Sequence, residues 1–347
     1  MKAYGALNSS IESIREFDTP NPIPAADEIL IRVRAVSLNP VDTKVRSLIG
    51  SDDLDAPRIL GFDAAGTVES VGASVENFSP GDEVYYSGDV TRPGSNAELH
   101  TVQAALVAKK PSSFTFPEAA ALPLVTITAW ELLFERMSDG TFPPNTAILI
   151  INGAGGVGSA LIPLAKSAGL TVVATASRAE TSEWCTQLGA DHVINHREPL
   201  RPQAEAIGFK QFPLIANLHN TETYWETTAD LLAPFGALGL IVETKNPIDI
   251  GNPFRLKSPR IVWEYMPTRS RFQTADMHRQ GEILAEIAKR CDAGTFPKLN
   301  TTHLGSLSAA NLQEAHRQLE SATTIGKLTI DLNPSTMESN DIDDQKI

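Results

Sequence analysis

The chain predicts an α/β protein in two parts: a compact β-rich unit, and a doubly wound parallel sheet with helices on both faces. Three observations carry this. Residues 1–110 hold short apolar segments of period two, separated by glycine and proline turns. From Thr146 onward, apolar strand-like runs alternate with helical stretches. A glycine-rich loop joins the first of those strands to the first of those helices.

The β-rich part opens with "EILIRVRAVSLN", where Ile29, Ile31, Val33 and Ala35 alternate with Leu30, Arg32 and Arg34. That spacing indicates a half-buried strand. Short strands follow at "AGTVESVG", "DEVYYSG" and "NAELHTV", punctuated by Gly81-Asp82 and Pro93-Gly94. "FPEAAALPLVTITAWELLFERM" is helical material broken by Pro123. Then come the strand "AILIING", a helix to about Ala168, the strand "LTVVATAS", a helix through Trp184, and the strands "DHVINH", "PLIANL" and "GALGLIVE". "HRQGEILAEIAKRCDAG" and "SAANLQEAHRQLES" read as amphipathic helices, placing His278 and His316 on solvated faces, and "GKLTIDL" as a closing strand. The acidic tail from Asn333 is expected to be disordered.

Composition narrows the function. With 347 residues, 42% hydrophobic and 20% charged, the chain can bury a sizeable core. A net charge of -13 argues against nucleic acid or an anionic membrane as the main partner. Two distant cysteines, Cys185 and Cys291, exclude a cysteine zinc ribbon and a disulfide framework. No apolar leader or spanning run is present, so a cytoplasmic location is expected.

The clearest chemical signal is "AILIINGAGGVGSALIPLAKSAG". Gly153, Gly155 and Gly158 fit G-x-G-x-x-G, with Gly156 and Val157 opening the helix that follows. Glycine permits the tight turn and close backbone approach, and the helix N-terminus offers free N–H donors to a pyrophosphate. An NAD site usually carries a carboxylate at the tip of the next strand. Here that tip is Ser177-Arg178, a hydroxyl and a cation suited to a 2′-phosphate, which favours NADPH over NADH.

The chain resembles the medium-chain dehydrogenase/reductase superfamily, in its quinone oxidoreductase-like branch. The likeness rests on "AVSLNPVDTKVRS", "LGFDAAGTVESVG", "GDEVYYSGDVTRPGSNAE", "AAALPLVTITAWELL", "INGAGGVGS", "LGADHVINH", "WEYMPTRS" and "GKLTI". It implies a GroES-like catalytic domain over 1–125 and 265–332, a Rossmann NADP-binding domain over 126–264, and a homodimer. Zinc alcohol dehydrogenases similar to this chain have a cysteine in place of Asn39 and a His-Glu pair in place of Phe62-Asp63. Phenylalanine cannot bind a metal and asparagine is a poor zinc ligand, so catalysis without a metal is expected.

The catalytic candidates are therefore Asn39, with its amide toward the nicotinamide or the substrate carbonyl, and Asp42, which is equally suited to capping a helix. Lys44 stands where related quinone reductases often have a tyrosine. Tyr85 and Tyr86 are read as packing residues ahead of proton donors. By resemblance, Thr128, Asn220, Val242 and Lys327 join the glycine loop, Ser177 and Arg178 around the cofactor. The leading reading is an NADPH-dependent reductase of quinones, enones or reactive aldehydes. Its rivals are a zinc-type alcohol or aldehyde dehydrogenase and a non-catalytic NADPH-binding sensor or RNA-binding, crystallin-like protein.

Overall fold

The computed structural model describes residues 1–332, and the tail expected to be disordered lies outside the described residues. The chain divides into two compact units. One comprises Met1–Leu124 and the described residues from Pro267 on; the other is Val125–Met266.

The first unit is built on the strand Glu28–Leu38, whose Ile29, Ile31, Val33 and Ala35 are all fully buried. Branched side chains favour the extended backbone there. This strand is central to a seven-stranded sheet ordered Thr301–Ser306, Lys327–Asp331, Glu28–Leu38, Asp63–Val71, Glu83–Ser87 and Val107–Lys109, with Leu99–Gln103 also paired to it. Its neighbours Lys327–Asp331 and Asp63–Val71 both run antiparallel to it. One register row crosses four strands: Thr329 pairs with Ser37, Ser37 with Asp63, and Asp63 with Ser87. Directly paired residues share a face of the sheet, so this row sets polar groups side by side inside the unit.

The helix Pro40–Ser47 starts straight after the central strand, with Pro40 at its first position, where a missing N–H costs nothing. Helical material ends at Ala120 and resumes at Pro123 for the same reason. Tyr85 and Tyr86 are packing residues. Tyr85 donates its hydroxyl to Leu284 O at 2.6 Å, and Tyr86 bonds His100 Nδ1 at 2.9 Å, while His100 Nε2 faces Pro93 O at 3.0 Å. The expectation for His316 is corrected. It is 0% exposed and accepts from Arg46 Nε at 3.2 Å, because the helix Ala309–Glu320 buries the face carrying Leu312, Ala315 and His316.

The second unit is a six-stranded, all-parallel sheet ordered His192–Ile194, Thr171–Thr175, Ala147–Ile151, Phe212–Asn217, Leu232–Leu240 and Arg260–Trp263. In sequence order this is 3-2-1-4-5-6, a doubly wound sheet of the nucleotide-binding kind. The continuous run "AILII" suits a strand with both faces covered, and Ile148 through Ile151 are fully buried. Among the described residues no helix is long and apolar enough to cross a membrane.

Candidate functional site

In the first unit the chemistry-bearing residues gather at one end of the seven-stranded sheet. Gly61 turns the chain at φ 98°, and a Cβ there would sit 2.5 Å from Asn96 Oδ1. Glycine is thus required to deliver Phe62 into the core and Asp63 onto the register row. Asp63 Oδ1 accepts from Leu124 N–H at 2.8 Å; Oδ2 accepts from Asn39 Nδ2 at 2.8 Å and from Lys327 Nζ at 3.1 Å. Lys327 Nζ also donates to Leu38 O at 3.3 Å and to Asn39 Oδ1. Exposure is 0% at Asp42 and Asp63, 1% at Asn39 and 3% at Lys327.

Burial pulls both members of the Asp63–Lys327 pair toward neutrality. It raises the Asp63 carboxyl, against Lys327 and the donors of Asn39 and Leu124, and it lowers the Lys327 ammonium, against Asp63 and Asp42. Burial pushes Asp42 up to about 7, opposed by its bond from Asn39 N–H and reinforced by the charge of Asp63.

Two expectations are corrected here, and the alternatives for Asp42 are resolved. Asn39 does not present its amide to a substrate: Nδ2 is engaged by Asp63 and, at 3.5 Å, by Ser37 O, and Oδ1 by Lys327. Asp42 takes its capping alternative. Its Oδ2 accepts from Asn39 N–H at 2.8 Å and its Oδ1 from Gly61 N–H at 3.0 Å, so it holds the helix start and the glycine turn together. Lys327 does not reach for a phosphate, since its three N–H donors face three protein acceptors.

In the second unit the glycine loop has the geometry of a phosphate cradle. A Cβ on Gly158 would lie 2.5 Å from the carbonyl oxygens of Asn152 and Gly153, and one on Gly153 would lie 2.8 Å from Ala174 Cβ. Gly155, Gly156 and Val157 are half-exposed at the start of the helix Gly156–Ser167, whose first-turn N–H groups have no acceptor within the helix. Ser177 and Arg178 follow the neighbouring strand and are half-buried. These residues fit a dinucleotide.

Thr128 is buried in the helix Pro123–Trp130. Asn220 accepts from Thr223 N–H at 2.8 Å, so its side-chain oxygen caps a helix, and Val242 O accepts from Thr221 Oγ1 at 2.5 Å.

One residue in this unit escapes sequence reasoning. Thr175 Oγ1 accepts from Asn152 N–H at 3.0 Å and lies 3.3 Å from His196 Nδ1. Burial, then His219 and Arg197, hold this imidazole below its ordinary value. The loop carrying His196 abuts that of Ser177, because Ala176 N–H donates to Ile194 O at 3.0 Å. The signal was the parallel pairing of two strands, which "DHVINH" alone does not show.

Two family models match the chain: the alcohol dehydrogenase GroES-like domain over residues 25–112, and the zinc-binding dehydrogenase over residues 188–330. A zinc-type alcohol dehydrogenase-like protein of Staphylococcus aureus is 43% identical over 322 residues, covering 91% of this chain and 94% of the relative. The chain belongs to the medium-chain dehydrogenase/reductase superfamily, in its quinone oxidoreductase-like branch. Two solved members of that superfamily align over almost the whole chain. A protein from Rhizobium etli described as a zinc-dependent alcohol dehydrogenase is 42% identical, with a TM-score of 0.90 and coverage of 95% and 98%. The quinone oxidoreductase of Coxiella burnetii is 26% identical, with a TM-score of 0.80 and coverage of 96% and 99%.

The protein is thus a medium-chain oxidoreductase with a GroES-like domain and a parallel-sheet, Rossmann-like domain. The zinc in the name of that second model does not suit the residues present. Of Asn39, Phe62 and Asp63 only Asp63 is an anionic ligand, and it already binds an ammonium. Among the described residues no group of three or more His, Cys, Asp or Glu is placed to hold a metal ion.

Proposed function

We propose that this medium-chain oxidoreductase is an NADPH-dependent, zinc-independent reductase that delivers hydride to a quinone, an enone or a reactive aldehyde. The observation that carries the reading is the Lys327 ammonium bonded to both Asn39 and Asp63. With Nζ already donating to their oxygens, the ligands a divalent cation would need are taken, so no Lewis acid assists the loss of a hydroxyl proton from an alcohol. An acceptor that already draws electrons needs no such help.

When bound, reduced nicotinamide supplies the hydride. The chain's own residues bind and orient it. The first-turn amides of Gly156 and Val157 take the pyrophosphate, with Gly153, Gly155 and Gly158 permitting the approach. Ser177 and the Arg178 guanidinium take the 2′-phosphate, each as a hydrogen-bond donor. Thr128, Asn220 and Val242 are assigned to the nicotinamide half. Likeness to the Coxiella burnetii quinone oxidoreductase supports the choice of acceptor. The net charge of -13 supports small molecules over nucleic acid or membrane as partners. A cytoplasmic homodimer completes the reading.

The test follows nicotinamide absorbance with a panel of quinones, enones, aldehydes and primary alcohols, before and after chelation. The expected result is oxidation of NADPH in preference to NADH, with quinones or enones, unchanged by the chelator. Alcohol oxidation that stops on chelation and returns with zinc overturns the reading. NADPH binding with no turnover of any acceptor replaces it by the non-catalytic one.

A further inference from the structure

The surroundings of Lys327 form a built site with a cation at its centre. Its acceptors are one carboxylate oxygen, one amide oxygen and one backbone carbonyl, a match for the three donors of an ammonium. Two of the contacts, 3.1 Å to Asp63 and 3.3 Å to Leu38, are hydrogen-bond lengths. The wall is polar beyond these contacts. Ser87 Oγ and Thr329 Oγ1, at the two ends of the row through Ser37 and Asp63, are buried with no hydrogen-bond partner among the described residues. Gly326, just before Lys327, lets the strand pack tightly on Asn300, since a Cβ there would lie 2.1 Å from Asn300 O.

Asn39 depends on this cation for its orientation. An amide reads either way round until its neighbours decide. Here the ammonium requires Oδ1 and the Asp63 carboxylate requires Nδ2. With the charge gone, Asp63 keeps its amide donors but loses the ammonium it pairs with, and Asn39 loses the donor that holds Oδ1.

We propose that Lys327 is a tethered cation and a positioning residue: it fixes the Asn39 amide and the Asp63 carboxylate, and truncating its side chain leaves a pocket for a small primary ammonium ion. Lys327→Ala removes three carbons and the ammonium, the outline of n-propylammonium.

The experiment measures the melting temperature of full-length Lys327→Ala in n-propylammonium, tetramethylammonium, n-propanol and zinc, at matched ionic strength. The variant should melt lower by roughly 10 °C, as expected for a broken buried pair in a unit of this size. Only n-propylammonium should recover half or more of that loss. No loss in Lys327→Ala, or equal recovery with n-propanol, tetramethylammonium or zinc, overturns the proposal. Should Lys327→Ala not fold, the charge-neutral pair Lys327→Met with Asp63→Asn decides. It should fold and melt within about 5 °C of the parent, and its failure to fold sinks the idea. A last arm rests on the proposed reductase activity: below the variant's melting temperature, kcat should fall with KM for NADPH unchanged, and n-propylammonium should restore it. A parent without reductase activity removes that arm and leaves the melting results to decide.

Discussion

The Nζ atom of Lys327 lies 3.1 Å from Oδ2 of Asp63, and neither side chain is more than 3% exposed. The two residues are 264 positions apart in the chain. Such a pair is costly to desolvate and more costly to break, because the survivor is left as a buried, uncompensated charge.

Asp63→Asn should therefore destabilise the protein by about 3–5 kcal/mol. The loss has two sources: Lys327 loses its counter-charge, and Leu124 N–H loses an anionic acceptor at the start of a helix. Urea unfolding measures it. A loss below about 1 kcal/mol, as for an exposed pair, refutes the account.

Gly158→Ala reverses an ordinary expectation. Inside a helix, alanine is normally about 1 kcal/mol better than glycine. Here the added methyl would sit 2.5 Å from two backbone oxygens, so helix and loop must separate. The melting temperature should fall rather than rise, and NADPH affinity by calorimetry should drop about tenfold or more as the first-turn amides move off the phosphate.

Arg178→Ala addresses the cofactor. Loss of a charge-assisted bond of about 1.5–3 kcal/mol should weaken NADPH roughly 10- to 100-fold and leave NADH nearly unchanged. Titration with both cofactors checks it, and equal weakening of the two would place Arg178 outside the 2′-phosphate site.

Acid should destabilise the fold through two buried histidines. Burial takes both His100 and His316 down to about 4, with Arg46 adding to the effect at His316. Above about 6.5, the ordinary value, both states are neutral and the stability is complete. As the pH falls from there to about 4, the unfolded chain binds protons that the folded protein refuses, so stability declines. Below about 4 the folded protein titrates too and the decline levels off. The shift corresponds to on the order of 3 kcal/mol per histidine. Urea midpoints at pH 7.5 and 4.5 should differ less in His316→Gln than in the parent; identical differences would exclude His316 as a source.

Local pattern carried much of the fold. The strand "EILIRVRAVSL", the run "AILII" before the glycine loop, and the helix restart at Pro123 each lie where period, branching or a missing N–H puts them. The glycine loop and Ser177-Arg178 were legible for the same reason, since a turn and the strand tip beside it are close in sequence. Asn39 and Asp63 stood out through the family resemblance, at positions where zinc alcohol dehydrogenases carry metal ligands. Their partner did not.

The sequence by itself determined the element types and the glycine loop, because each is written in neighbouring residues. Only the tertiary structure decided that Lys327 turns inward, that the Asn39 and Asp42 side chains are engaged by the protein itself, that His316 is buried, and that His196 Nδ1 lies 3.3 Å from Thr175 Oγ1. The physical reason is that a buried charge or imidazole takes whatever partner the strand order and helix packing set next to it. That choice is made across as many as 288 residues of chain, beyond the reach of any local pattern.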